Sequence, residues 1–299
     1  MPDHTLMDLL PRLERLLDRV ESVLSDFTGQ QEMSSEDLYS ESIAFRWRQK
    51  NGKGSLESIT HPDLVDLDNL LGLDREIEIL ARNTQQFAAG MPANNVLVWG
   101  ERGTGKSSVV KGLLARFACE GVRMIEVRKH DLIDLPEIVE IVWDQPERFI
   151  LFCDDLSFVE DEPIYLELKA LLEGSLSARP DNVLVYATSN RRHLMPEKIS
   201  DNTPRFSPEN DDIHPQETVE EKISLSDRFG LSIGFYRITQ ETFFSIVQHL
   251  VEKRGLNINL EFVRREALQW LQNSSGRSGR VARQYVDDLE GRLKLNDIS

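Results

Sequence analysis

The sequence predicts an α/β fold: a P-loop three-layer αβα sandwich around a parallel five-stranded sheet. A small all-α lid domain follows it and an N-terminal helical segment precedes it. Three observations predict this. Apolar segments at 94–99, 122–127, 149–153, 183–187 and 231–236 have strand length and are near-continuous, as strands buried on both faces of a parallel sheet are. Helical patterns alternate with them, which suits a doubly wound sheet. The first apolar segment runs into a glycine-rich turn, residues 100–105, that opens a helical pattern at Lys106.

The elements follow in chain order. Residues 5–27 place Leu6, Leu9, Leu10, Leu13, Leu16, Leu17, Val20, Val23, Leu24 and Phe27 on one helical stripe. That stripe suits a coiled-coil partner or the chain's own core, and Pro11 requires a kink or a helix start. Residues 45–54 interleave Arg46, Arg48, Lys50 and Lys53 with Phe45 and Trp47. Such a segment is either a linker whose aromatics pack beside the next domain while its cations stay solvated, or a place where aromatics stack bases and cations meet phosphates. The division expected is 1–55 for the helical segment and basic, aromatic linker, 56–236 for the α/β domain, and 237–299 for the helical lid.

Within the α/β domain, Asp134 reads as the N-cap of a helix over 135–143, with Glu137 three residues on. A second helix is expected from Pro163 to Glu173, ending at Gly174. Residues 196–222 are rich in proline and acidic residues and read as a long mobile insertion. Helices over 239–252, 260–272 and 279–294 complete the lid.

Composition excludes several classes. The 299 residues carry 35 basic and 51 acidic side chains, a net charge of −16. A surface that acidic repels nucleic acid and anionic membrane, so contact with nucleic acid is left to residues 45–54 alone. No apolar run reaches the roughly 18 residues of a membrane span, and Met1-Pro2-Asp3-His4 does not begin a signal peptide. Cys119 and Cys153 lie in apolar settings and form no disulfide or metal pattern. A reducing, cytoplasmic location is expected.

Gly100-Glu101-Arg102-Gly103-Thr104-Gly105-Lys106-Ser107 fits G-x-x-x-x-G-K-[ST] throughout, with Ser108 next in the helix. Glycines let backbone N–H groups curl around phosphates, and the helix aims its positive end at them. Lys106 is expected on the β- and γ-phosphates and the Ser107 hydroxyl on Mg²⁺. A triphosphatase also needs an acidic group for the metal. The apolar strand 149–153 ends in Asp154 and Asp155, where ligand sites of parallel sheets collect. Asp154 is expected to hold Mg²⁺, and Asp155 to orient the attacking water.

With these motifs the chain resembles the AAA+ ATPases over about residues 60 to 295. Residues 183–190, an apolar strand ending in Asn190, look like the family's first sensor; Leu225-Ser226-Asp227-Arg228-Phe229-Gly230 looks like its arginine-finger segment. Gly276-Arg277-Ser278-Gly279-Arg280-Val281-Ala282-Arg283 resembles the second sensor, with Arg280 best aligned and Arg277 and Arg283 as alternatives. Residues 68–74 resemble the stretch lying near the adenine. "FRWR", "SDRFGL" and "GRSGR" make the chain similar, more narrowly, to a bacterial group of single-module AAA+ proteins known as a domain of unknown function. The resemblance implies ATP and Mg²⁺ as ligands and a homo-oligomer in the nucleotide-bound state. It further implies hydrolysis completed between subunits by Arg228 and coupled to remodelling of a protein client. A nucleotide-controlled switch or loader with slow hydrolysis is the alternative. A small-molecule kinase is a third class, but an acidic loop and a helical domain stand where its acceptor pocket and cationic lid would be. One departure bears on rate: Asp155 stands where the family has Glu, one methylene short of the water a Glu would hold.

Overall fold

The computed structural model describes residues 39–50, 52–158, 164–173, 180–192, 194, 225–274 and 276–298. Residues 1–41 and 42–299 form separate compact units. Of the first, only a helical turn at residues 39–41 is described. The helix expected over 5–27, the insertion at 196–222 and Gly174 lie outside the described residues.

The second unit is built on a seven-stranded sheet. Its strands are β1 (Ala44–Lys50), β2 (Lys53–Ser58), β3 (Val96–Gly100), β4 (Val122–Glu126), β5 (Arg148–Cys153), β6 (Val183–Ser189) and β7 (Leu231–Phe235), in the order β2-β1-β4-β5-β6-β3-β7. The five expected strands are present and parallel. Two more extend the sheet: β1 joins β4 in parallel, and β2 returns antiparallel to β1.

This corrects the expectation of a five-stranded sheet and of a linker at 45–54. Phe45 and Trp47 point into the protein and are 0% exposed, so neither offers a face to a base. Arg46 pairs with Glu126 at 2.5 Å, and Arg48 and Lys50 both pair with Glu57. The hairpin therefore loses the stacking surface on which a nucleic-acid contact rested. The turn between the strands holds Gly52 at φ 75°, a conformation glycine adopts without strain.

Helix α1 (Asp74–Ala88) and α2 (Lys106–Phe117) cover one face of the sheet, and their apolar sides meet Val96, Val98, Ile150, Phe152, Leu184 and Tyr186. On the chain's other crossovers lie α3 (Leu135–Val142) and α4 (Ile164–Glu173). Helix α3 starts at Asp134 as expected, but the Asp134 carboxylate makes no cap bond. It accepts instead from Trp47 Nε1 at 2.9 Å and from Gln49 Nε2 at 3.0 Å, and so pins the hairpin. Cys153 is buried, which pushes its thiol up to about 12, whereas Cys119 is exposed, against the expectation of an apolar setting.

The lid comprises α5 (Gln240–Lys253), α6 (Leu260–Gln272) and α7 (Gly279–Ile298) around its own apolar core of Phe243, Val247, Val251, Val263, Tyr285 and Leu289. Thr239 caps α5 and Asn259 caps α6 through side-chain bonds to backbone N–H groups, satisfying donors a helix start otherwise leaves free.

Candidate nucleotide site

The loop of residues 100–105 joins β3 to α2 at the carboxyl end of the sheet. Its glycines are required by what surrounds them. Gly100 has φ 143°, and a Cβ there would lie 2.0 Å from the Phe235 carbonyl oxygen of the neighbouring strand β7. Gly103 has φ 81°, and a Cβ there would come within 2.9 Å of Ser278 Oγ in the lid. The loop thus packs closely against β7 at Gly100 and against the lid at Gly103.

Lys106, the first residue of α2, is only 7% exposed. Its Nζ donates to Gly100 O at 2.7 Å, Glu101 O at 2.8 Å and Asn190 Oδ1 at 3.2 Å. Burial pulls the ammonium below the ordinary lysine range, while Asp155 and Asp154 push back. Thr104 Oγ1 also donates to Glu101 O, at 2.8 Å. The Glu101 carboxylate pairs with Arg237, at the start of the connection into the lid.

Strand β5 delivers the two carboxylates. Asp154 Oδ1 accepts from Ser107 Oγ at 2.6 Å and from Thr188 Oγ1 at 2.5 Å. Asp155 is the one non-glycine among the described residues with positive φ, at 55°. Its backbone N–H donates to Thr188 Oγ1 at 2.9 Å, and its carboxylate accepts from Asn190 Nδ2. Arg102 Nη2 stands 4.0 Å from Asp155 Oδ2.

These groups line one side of a cleft of about 580 Å³ that runs from the loop to the lid. Arg102, Gly103, Thr104, Gly105, Lys106, Ser107 and Ser108 contribute from the loop and helix, and Arg280 and Arg283 from α7. Arg277, the third alternative, is not among the lining residues. Leu71, Leu73, Ile238 and Ile246 add an apolar part to the lining. Asn69 also lines the cleft: its Oδ1 accepts from Lys253 Nζ at 2.8 Å and sits 2.9 Å from His249 Nε2. Arg228 stands apart from the cleft lining and pairs with Glu173 at the end of α4.

The donor set fits a magnesium nucleotide. A hydroxyl and a carboxylate side by side are hard oxygen donors, and Mg²⁺ is ordinarily held by one or two such groups together with substrate phosphates. Among the described residues no cluster of three His, Cys, Asp or Glu forms a metal cage of protein groups alone. Ser107 and Asp154 would hold the ion. The loop, Arg280 and Arg283 suit phosphate charge, and the apolar lining residues suit a base.

One member escaped the sequence expectations. Thr188 touches both acidic residues, and the signal for it lay in strand pairing: Cys153 is opposite Ala187 in the β5–β6 register, so the next pair is Asp154 and Thr188.

Residues 40–293 match the family described as Protein of unknown function (DUF815). The chain belongs to that family. Among solved structures, ORC2 of Aeropyrum pernix in ADPNP–ADP complexes is similar at 14% identity and TM-score 0.50, over 81% of this chain and 66% of that one. A point variant of RuvB from Thermotoga maritima gives 14% identity and TM-score 0.43, over 75% and 72%. A DNA replication initiation factor gives 16% and 0.47, over 80% and 65%. No curated protein matches. At these identities the likeness concerns the fold alone. No helix among the described residues is long and apolar enough to cross a membrane.

Proposed function

We propose that this DUF815 chain binds ATP with magnesium and hydrolyses it at a site completed by a neighbouring subunit, using turnover to remodel a protein partner. The observation that carries the proposal is the convergence of Lys106, Ser107, Asp154, Asp155 and Asn190 at one end of the sheet, facing Arg280 and Arg283 of the lid. Magnesium, when bound, would neutralise phosphate charge and orient the β- and γ-oxygens. Lys106 would exchange its bond to Asn190 for the terminal phosphates. Released, Asn190 would hold the attacking water or the γ-phosphate, and Asp155 would accept that water's hydrogen. Arg280 and Arg283 would draw the lid onto the triphosphate.

Arg228 supports the intersubunit part of the proposal, because it lies outside its own subunit's cleft on a side chain about one fifth exposed. An arginine supplied by a neighbour would meet the charge that builds on the γ-phosphate in the transition state. The direct test is phosphate release by the purified full chain with and without Mg²⁺, alongside light scattering with and without ATP. The proposal expects Mg²⁺-dependent turnover and a larger particle with ATP; a monomer hydrolysing at its full rate at any dilution would reject the shared site.

A second reading, a nucleotide-controlled switch with slow hydrolysis, is favoured by the Asp155 carboxylate. It is short, bonded to Asn190, and carried on a backbone at positive φ. Single-turnover kinetics separates the two: a switch would bind ATP and assemble long before it released phosphate.

A further inference from the structure

We infer that Thr188 is a positioning residue for the magnesium site, one hydroxyl that fixes both acidic residues at once. This rests on the ATP-binding reading above and extends it to a residue that no motif singles out.

The placement follows from the sheet. Parallel strands β5 and β6 run in register, Phe152 opposite Tyr186 and Cys153 opposite Ala187. Side chains alternate faces along a strand. Ile150 and Phe152 of β5, with Leu184 and Tyr186 of β6, point at α1 and α2. Asp154 and Thr188 are the next residues on that same face, and α2 begins there with Lys106 and Ser107. Four apolar side chains thus end in a carboxylate and a hydroxyl turned toward the helix start.

The hydroxyl is used twice. Thr188 Oγ1 donates to Asp154 Oδ1 at 2.5 Å and accepts from the Asp155 backbone N–H at 2.9 Å. Having given its single hydrogen to Asp154, the oxygen has lone pairs left for the Asp155 amide, so the two bonds are compatible. Thr188 is 1% exposed, which leaves no water to substitute for either bond. The first bond orients the Asp154 carboxylate, whose Oδ1 also takes the Ser107 hydroxyl at 2.6 Å. The second holds the peptide that carries Asp155 at φ 55°, a conformation that needs surrounding contacts to persist. Threonine suits both tasks: its γ-methyl restricts χ1 and keeps the hydroxyl aimed.

Partners that orient a metal's ligands typically alter metal affinity or activity by about 10- to 100-fold when removed. The test compares wild type, Thr188→Val (same shape, no hydroxyl) and Thr188→Ser (hydroxyl kept) by calorimetric titration of ATP into the full chain. Each is titrated once with excess chelator and once with Mg²⁺. The expectation is equal chelator-bound affinities in all three proteins. The tightening brought by Mg²⁺ should fall about 10- to 100-fold in Thr188→Val and be largely retained in Thr188→Ser. Equal Mg²⁺ tightening in wild type and Thr188→Val overturns the inference, as does an equal loss in Thr188→Ser and Thr188→Val. Melting temperature without nucleotide identifies a folding defect; should Thr188→Val not fold, Thr188→Ala carries the same expectation. Wild type that binds no ATP in either condition overturns the nucleotide reading itself, and this inference with it.

Discussion

Lys106→Met is the substitution whose outcome follows most directly from the structure. The ammonium has three protons, and three acceptors hold them: Gly100 O at 2.7 Å, Glu101 O at 2.8 Å and Asn190 Oδ1 at 3.2 Å. Reaching a phosphate therefore means giving up at least the longest bond, to a neutral amide. Bonds between charged groups contribute about 1.5–3 kcal/mol each, against about 1 kcal/mol for a neutral one. One phosphate contact in place of the long Asn190 bond leaves a net gain of about 1.4 kcal/mol, or roughly tenfold in affinity. Calorimetric titration of Mg-ATP should show at least that weakening in Lys106→Met. Affinity within about threefold of wild type would refute the role of Lys106 and the phosphate loop with it. Burial supplies a second, independent readout. Lys106 is held below the ordinary lysine range, chiefly by desolvation, so between its lowered value and the ordinary one the unfolded chain binds a proton that the folded chain does not. The contribution of this residue to stability then rises with pH through that window. Methionine has no such dependence. Any stability advantage of Lys106→Met without nucleotide should shrink as pH rises toward the ordinary lysine value of about 10.5; a constant difference would contradict the burial argument.

Other perturbations separate the remaining parts. Arg228→Ala should keep ATP affinity and reduce turnover about 10³-fold or more if Arg228 serves a neighbour, and equal turnover in steady-state phosphate release would reject that role. Trp47→Ala removes a 0%-exposed ring and its bond to Asp134; urea unfolding should show a loss of about 3–5 kcal/mol, and a loss below about 1 kcal/mol would mean the hairpin is not part of the core. Gly100→Ala places a methyl against the Phe235 carbonyl and should abolish ATP binding while the lid core stays folded, read by calorimetry beside circular dichroism; retained binding would show that the loop tolerates the displacement.

What could be read from the sequence was what local chemistry determines. The phosphate loop and the strand ending in Asp154 and Asp155 carry their geometry in consecutive residues, and the near-continuous apolar segments marked the parallel strands within a residue or two. The hairpin was harder. Its cations invited a compositional reading, although Phe45 and Trp47 alternate with Arg46 and Arg48 at the period of a half-buried strand, and Asn51-Gly52 is a hairpin-turn dipeptide. Asp134 shows tertiary structure overriding a local rule: a carboxylate suited to capping α3 is taken instead by Trp47 and Gln49, more than 80 residues away in sequence. Thr188 and the Glu101–Arg237 pair were illegible for the same reason. Both depend on which strand ends lie side by side, and no window of sequence contains that.

Asp155 combines a short acidic side chain with a backbone at positive φ. Residues other than glycine rarely adopt positive φ, and Asp and Asn are the types that do so most readily. At φ 55°, with its amide tied to Thr188 and its carboxylate to Asn190, this position suits a short acidic side chain. Asp155→Glu should therefore cost about 1 kcal/mol of stability, since a longer side chain has no local bond to offset the left-handed conformation. The extra methylene would also carry the carboxylate about an ångström farther into the cleft, and misplacement on that scale is worth on the order of a hundredfold in rate. If hydrolysis is slow because the carboxylate falls short of the water, Asp155→Glu gains turnover toward that figure while ATP affinity holds. If turnover instead falls with affinity unchanged, the short side chain is matched to its backbone for catalysis. In that case the slow-switch reading loses its main support, and the remodelling ATPase stands.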